Sequence, residues 1–203
     1  MKIYDYGIAP NPRRVRIFLH EKGIEAEYEK IDIRKREGRT EAFLEKNPLG
    51  GIPVLELDDG TCISESVAIC RYFEALHPEP NLFGAAPGEI AEIDMWLRRI
   101  EMYLMSPAGL VWIHGNELTA HLLEQNPGTA EFGRARTYYF YDILNKALQG
   151  KEFLASDRYS IVESVALPTL DFITTLVGVP YKAEHTNIKT WHEMMSARES
   201  ANA

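Results

Sequence analysis

The sequence predicts an α/β domain of order βαβαββα followed by an all-helical domain. Three observations carry this. Strand and helix signals alternate as far as His77, a Pro- and Gly-rich stretch from Pro78 to Gly88 interrupts the chain, and beyond it apolar residues recur at threes and fours with no strand pattern. The predicted division is a first domain at 1–78, a linker at 79–88 and a helical domain at 89–203.

In the first domain, Lys2 to Tyr6 is a short β-rich run. A Pro-Asn-Pro turn and an amphipathic segment with Val15, Phe18 and Leu19 at helical spacing follow it. Asn11 suits the helix N-cap, Pro12 its first turn and Gly23 its stop. Glu27 to Ile33 fits a second strand, and Thr40 to Lys46 a charged helix. Pro53 to Leu57 and Thr61 to Ser64 read as a hairpin, because Asp59-Gly60 between them is a favoured primed-turn dipeptide. A helix from Ser66 to Leu76 ends before Pro78. In the second domain Ile90, Ile93, Leu97, Ile100 and Leu104 predict a long helix to Met105, which Ser106-Pro107-Ala108-Gly109 breaks or kinks. Further helices are expected over Leu110 to Gln125, Ala130 to Gln149, Ser160 to Val177 and Ile188 to Arg198, the fourth of these five opened by a capping box between Ser160 and Glu163.

Composition narrows the function classes. With 45% apolar and 26% charged residues the chain reads as a folded globular protein rather than a disordered one. The net charge of −8 argues against nucleic acid or an anionic membrane as the main partner, because both require a basic surface. No apolar run approaches the roughly 18 residues of a membrane span, and the N-terminus reads as a strand rather than a signal peptide, so a cytoplasmic protein is expected. Cys62 and Cys70 lack metal-ligand spacing and are expected to be reduced, buried thiols. His114 and His121 are seven apart and could share a helix face, yet surface or packing roles are expected rather than ligation, and no metal site is expected.

Three segments together carry a resemblance over nearly the whole chain. They are Pro10-Asn11-Pro12-Arg13-Arg14-Val15-Arg16 through Gly23-Ile24, Asn47-Pro48 through Ser66, and Phe153 through Ser160. In this order they resemble the cytosolic glutathione transferases, which join a thioredoxin-like N-terminal domain to an all-helical C-terminal domain. The resemblance implies glutathione as co-substrate, a small hydrophobic electrophile as second substrate, and a homodimer. It implies a cis bond at Ile52-Pro53 that frees the Ile52 backbone for the cysteinyl part of glutathione; the alternative is a trans Pro opening an edge strand. Ser66, at a helix N-terminus, would take the γ-glutamyl carboxylate and Glu65 the α-amino group, the alternative being simple capping by Ser64 or Ser66.

The chain also departs from that family's pattern. Gly51 stands where a lysine often holds the glycyl carboxylate, which leaves Arg39 or Arg36 as replacements or as solvated charges. Ala9 stands where serine-type members carry the thiolate-steadying hydroxyl, and Asp5 where another group carries a tyrosine; Tyr4 and Tyr6 alternate to the other face. Pro10-Asn11 resembles a segment of the bacterial Nu class, which uses glutathione in disulfide reduction. Asn11 is therefore the candidate catalytic residue, capping the first helix through its oxygen and donating from its NH2 to sulfur, or serving as a cap alone. Lowering a thiol pKa by roughly two units takes about 2.7 kcal/mol. One hydrogen bond to a charged group contributes about 1.5–3 kcal/mol and a helix N-terminus about 0.3–2 kcal/mol, so Asn11 suffices in principle.

The electrophile is expected between the first-strand loop and the first long helix of the second domain, at Ile8, Ala9, Met102, Tyr103, Met105, Ser106, Pro107 and Trp112, or these pack the bundle core. Trp191 and Met194 are expected to pack rather than to close a pocket. The function implied is conjugation of glutathione to that electrophile. The alternatives are a glutathione-dependent disulfide reductase or peroxidase, and a non-catalytic binding or interaction module.

Overall fold

A computed structural model describes residues 1–203. The chain forms two compact units, Met1–Phe83 together with Glu199–Ala203, and Gly84–Arg198.

The first unit is built on strands β1 (Lys2–Asp5), β2 (Glu27–Lys30), β3 (Val54–Glu56) and β4 (Cys62–Ser64), with helices α1 (Pro10–Glu21), α2 (Glu41–Leu44) and α3 (Ser66–Leu76). The sheet order is β2-β1-β3-β4, with β1 parallel to β2 and antiparallel to β3, and β3 antiparallel to β4. This is a four-stranded mixed sheet of the thioredoxin-like kind. Val15, Ile17, Phe18, Ile69 and Cys70 of α1 and α3 are fully buried, while Tyr4, Ile31, Phe43 and Val54 form a separate cluster. The hairpin turns at Gly60, whose φ of 85° a residue with a side chain rarely adopts.

Three details differ from the expectation. The helix begins at Pro10, not after Asn11: proline's fixed φ suits the first helical position, so Ala9 becomes the N-cap and Asn11 lies inside the first turn. The second strand stops at Lys30, because Asp32 accepts from the Arg34 and Lys35 backbone N–H groups and starts a 3₁₀ turn over Ile33–Lys35. Another 3₁₀ turn, Glu37–Arg39, precedes a helix shortened to Glu41–Leu44. The last five residues also belong to this unit. Arg13 donates to the Ala201 carbonyl at 2.9 Å, Arg16 to the Ala203 carbonyl at 3.1 Å, and Ser200 to Glu21.

The second unit contains α4 (Pro87–Arg99), α5 (Ser106–Gly115), α6 (Pro127–Ala147), α7 (Ile161–Phe172) and α8 (Thr186–Ser196). Pro107 does not break the helix: a π-helical segment, Ile100–Met105, carries α4 directly into α5. The helix expected to Gln125 ends at Gly115, where Asn116 starts a short 3₁₀ turn by accepting from the Leu118 N–H. Every residue of α7 from Ile161 to Leu170 is buried, which makes it the central helix of the bundle. Its N-terminus carries the capping box expected from Ser160 and Glu163. No helix is long and apolar enough to cross a membrane.

Helices α5 and α6 approach closely at Gly133. A Cβ there would lie 2.5 Å from the Pro107 carbonyl oxygen and 3.0 Å from the Leu110 Cβ. Neither backbone can yield without separating the helices, so Gly133→Ala is expected to destabilise the protein by about 1–3 kcal/mol, read as a lower midpoint in urea or heat unfolding.

Candidate active site

The β1–α1 connection begins the site. Ile8 is 68% exposed and Ala9 is buried. Pro10 and Pro12 flank Asn11 and supply no backbone N–H, so Asn11 is the one polar side chain in the first three residues of α1. It does not cap the helix. Its Oδ1 is sealed from solvent without a hydrogen-bond partner. At this position a donor and a helix N-terminus act in the same direction on an anion.

Asp5, at the tyrosine position of the other group, cannot serve a substrate thiol. Arg16 holds both its carboxylate oxygens at 2.7 Å and also donates to the Gly7 carbonyl at 2.8 Å, which ties the β1–α1 loop to α1. Tyr4 is also committed: its hydroxyl donates to Glu56, which Lys46 approaches to 2.9 Å. That hydroxyl and the Lys46 ammonium hold the Glu56 carboxyl below the usual range, while burial pushes the Tyr4 phenol up. Tyr6 is buried, with Lys30 and Arg34 over its ring.

The loop before β3 is organised by Asn47, which is 3% exposed. Its amide donates to the Gly51 carbonyl at 2.8 Å and accepts from the Leu49 N–H at 3.1 Å. Gly50, at φ 63°, meets Gly38 so closely that a Cβ on either would stand 2.5 Å from the other's carbonyl oxygen. Arg39 is thereby brought to this loop, donating to the Leu49 carbonyl at 3.0 Å, whereas Arg36 is exposed on the preceding turn. The Ile52–Pro53 bond is cis, and the ladder between β1 and β3 stops at Val54, so the Ile52 peptide groups lie outside it.

The N-terminus of α3 completes this side. Glu65 is the N-cap, at φ 70°, a conformation uncommon for a residue with a side chain. Neither Ser64 nor Ser66 caps the helix: there is no side-chain cap, and the first helical hydrogen bond runs from Ile69 N–H to the Glu65 carbonyl. The amides of the first turn therefore face outward without a side-chain partner, an arrangement that favours an anion. Ser66 is buried, with Arg14 Nη1 of α1 3.5 Å from its Oγ.

The remaining candidates lie in the second unit. Met102 and Tyr103 are exposed, and Tyr103 stacks on Phe140 at the edge of a cleft of about 350 Å³ lined also by Arg99, Arg136, Tyr139 and Ile143. Ser106 is exposed at the start of α5, and Trp112 is half-buried with its ring edge against Phe172. Met105 and Pro107 are half-buried, and Trp191 is a core residue at 2% exposure. Cys70 is fully buried, which pushes its thiol up, and no group of His, Cys, Asp and Glu is arranged to hold a metal ion. Sequence reasoning quoted Asn47, Arg14 and Arg16 only as members of the matching segments and Asp5 only as the position of another group's tyrosine, and it gave none of them a partner or a role.

Comparison with known proteins agrees with this architecture. Residues 8–76 match the family described as Glutathione S-transferase, N-terminal domain, and residues 103–199 match Glutathione S-transferase, C-terminal domain. Glutathione S-transferase 2 of Saccharomyces cerevisiae is 32% identical, over 98% of this chain and 87% of its own length. The crystal structure of Gtt2 from Saccharomyces cerevisiae superposes with a TM-score of 0.92 at 32% identity, covering 98% of each chain. A glutathione S-transferase domain-containing protein of Marinobacter aquaeolei VT8 gives a TM-score of 0.92 at 36% identity, covering 98% of this chain and 99% of its own. The chain belongs to the glutathione S-transferase family, enzymes that use glutathione as co-substrate.

Proposed function

We propose that the first unit binds glutathione with its γ-glutamyl end at the N-terminus of α3, and that the enzyme transfers the thiolate to a small hydrophobic electrophile. The observation that carries this reading is the uncapped first turn of α3 beside the positive φ of Glu65. A backbone outlier next to unpartnered amides is a common sign of a binding site. Ser66 and the α3 amides take the γ-glutamyl carboxylate, and Glu65 takes the α-amino group. The Ile52 peptide pairs with the cysteinyl backbone, and Arg39 faces the glycyl carboxylate that Gly51 cannot hold. Ile8 lends apolar surface at the sulfur end.

In this reading Asn11 is the catalytic residue. Its NH2 donates to the sulfur while the α1 N-terminus contributes its dipole. A thiolate stabilised in this way is the reacting nucleophile at neutral pH, and it forms the new carbon–sulfur bond as the electrophile's leaving group departs or its double bond takes up the electron pair. The enzyme works in this reading as a cytoplasmic homodimer, as the resemblance implies. Asn11→Ala is expected to leave glutathione affinity within about threefold and to cut turnover with an aromatic halide near pH 7 by about tenfold or more. The lost activity should return toward alkaline pH, and an unchanged pH–rate profile would remove Asn11 from the mechanism.

A further inference from the structure

The three arginines of α1 have different destinations. Arg13 and Arg16 turn to the C-terminal tail and to β1, whereas Arg14, 3% exposed, turns to α3 and brings Nη1 to 3.5 Å from Ser66 Oγ. It lies in the Pro10–Arg16 segment that carries the family resemblance, which assigns it no role. A guanidinium has five donors and no acceptor, so toward Arg14 the Ser66 hydroxyl presents its oxygen and must aim its own proton elsewhere. Ser66 is 6% exposed and opens the uncapped turn of α3. A buried cation behind that turn is screened little by salt and adds to the field of the helix N-terminus.

We propose that Arg14 is a positioning residue for the γ-glutamyl carboxylate: it fixes the Ser66 hydroxyl as a donor to the ligand and supplies a positive charge behind the site, without itself touching glutathione. This rests on the glutathione reading given above. It predicts a selective defect. Removing Arg14 weakens ligands that carry the α-carboxylate and spares those that lack it, whereas a merely structural arginine would weaken both alike.

The test is calorimetric titration of the full chain with glutathione and with 4-aminobutyryl-cysteinyl-glycine, which lacks only that carboxylate. Arg14→Met is expected to weaken glutathione about tenfold and to leave the analogue within about twofold, with Arg14→Lys recovering part of the loss. Should Arg14→Met fail to fold, Arg14→Gln removes the charge while keeping a donor, and the same selective loss is expected. Equal losses for both ligands, or no loss for glutathione, overturn the role of Arg14 while leaving the glutathione site standing. If the wild type gives no heat with glutathione, the site itself falls and this proposal with it.

Discussion

Replacing Glu163 by alanine is expected to cost about 3–5 kcal/mol of stability, near the upper end for a single substitution. Glu163 is 1% exposed and its carboxylate serves three donors: Leu154 N–H at 2.7 Å, Ser160 N–H at 3.0 Å and Ser160 Oγ at 2.7 Å. Alanine leaves two buried backbone N–H groups without a partner, at about 1–3 kcal/mol each, and weakens the N-cap of the central helix by about 1 kcal/mol. For a chain of this size that is a fall of about 10 °C in Tm. Glutamine should lose less, because one amide oxygen can still accept from Leu154, but its NH2 then faces the Ser160 N–H. The pH dependence has a definite sign. Burial raises the Glu163 carboxyl above its ordinary range despite these donors. A raised folded pKa contributes stability fully below the unfolded value of about 4.3 and loses it as pH rises through the folded value. The wild-type advantage over Glu163→Ala should therefore be larger at pH 4 than at pH 8. Urea unfolding at both pH values reads it, and a larger gap at pH 8 would contradict this account.

The second large effect is expected at Asp5. Its side chain and that of Arg16 are 12% and 13% exposed and meet at 2.7 Å. Removing one member of such a pair strands the other, which costs about 3–5 kcal/mol, whereas replacing both by apolar residues is often near neutral. Asp5→Ala is therefore expected to lose about 3 kcal/mol, and Asp5→Leu/Arg16→Met to recover most of that stability. Activity should not follow stability in the double variant. Arg16 also pins the Gly7 and Ala203 carbonyls, so without it the β1–α1 loop that leads to Asn11 loses a tether. A folded double variant with reduced turnover separates the two roles, and additive single effects in the double-mutant cycle would show that the pair is not coupled.

Much of the fold was legible because local chemistry and global architecture agree. The Asp59-Gly60 turn, the Ser160–Glu163 box and the threefold and fourfold spacing in α4 are short-range signals, and each sits where the sequence puts it. The cis Pro53 and the start of α3 were legible through motif order rather than through any single residue. Less visible were choices made by competition. Two residues near Asn11 compete for the start of α1, and proline's fixed φ beats an asparagine cap. Asp32 ends β2 by bonding its own neighbours. Arg14–Ser66, Arg16–Asp5 and the return of Glu199–Ala203 to α1 join residues far apart in sequence, and no periodicity reports them.

Catalysis in the proposed mechanism depends most on the state of the glutathione sulfur. Ultraviolet titration of the thiolate in the binary complex measures it directly. Bound to the wild type, the thiol should titrate about two units below the ordinary thiol value near 8.5, and Asn11→Ala should raise it by one unit or more. A bound thiol that titrates like the free one, or a shift that survives intact in Asn11→Ala, would contradict the role given to Asn11 and the first turn of α1.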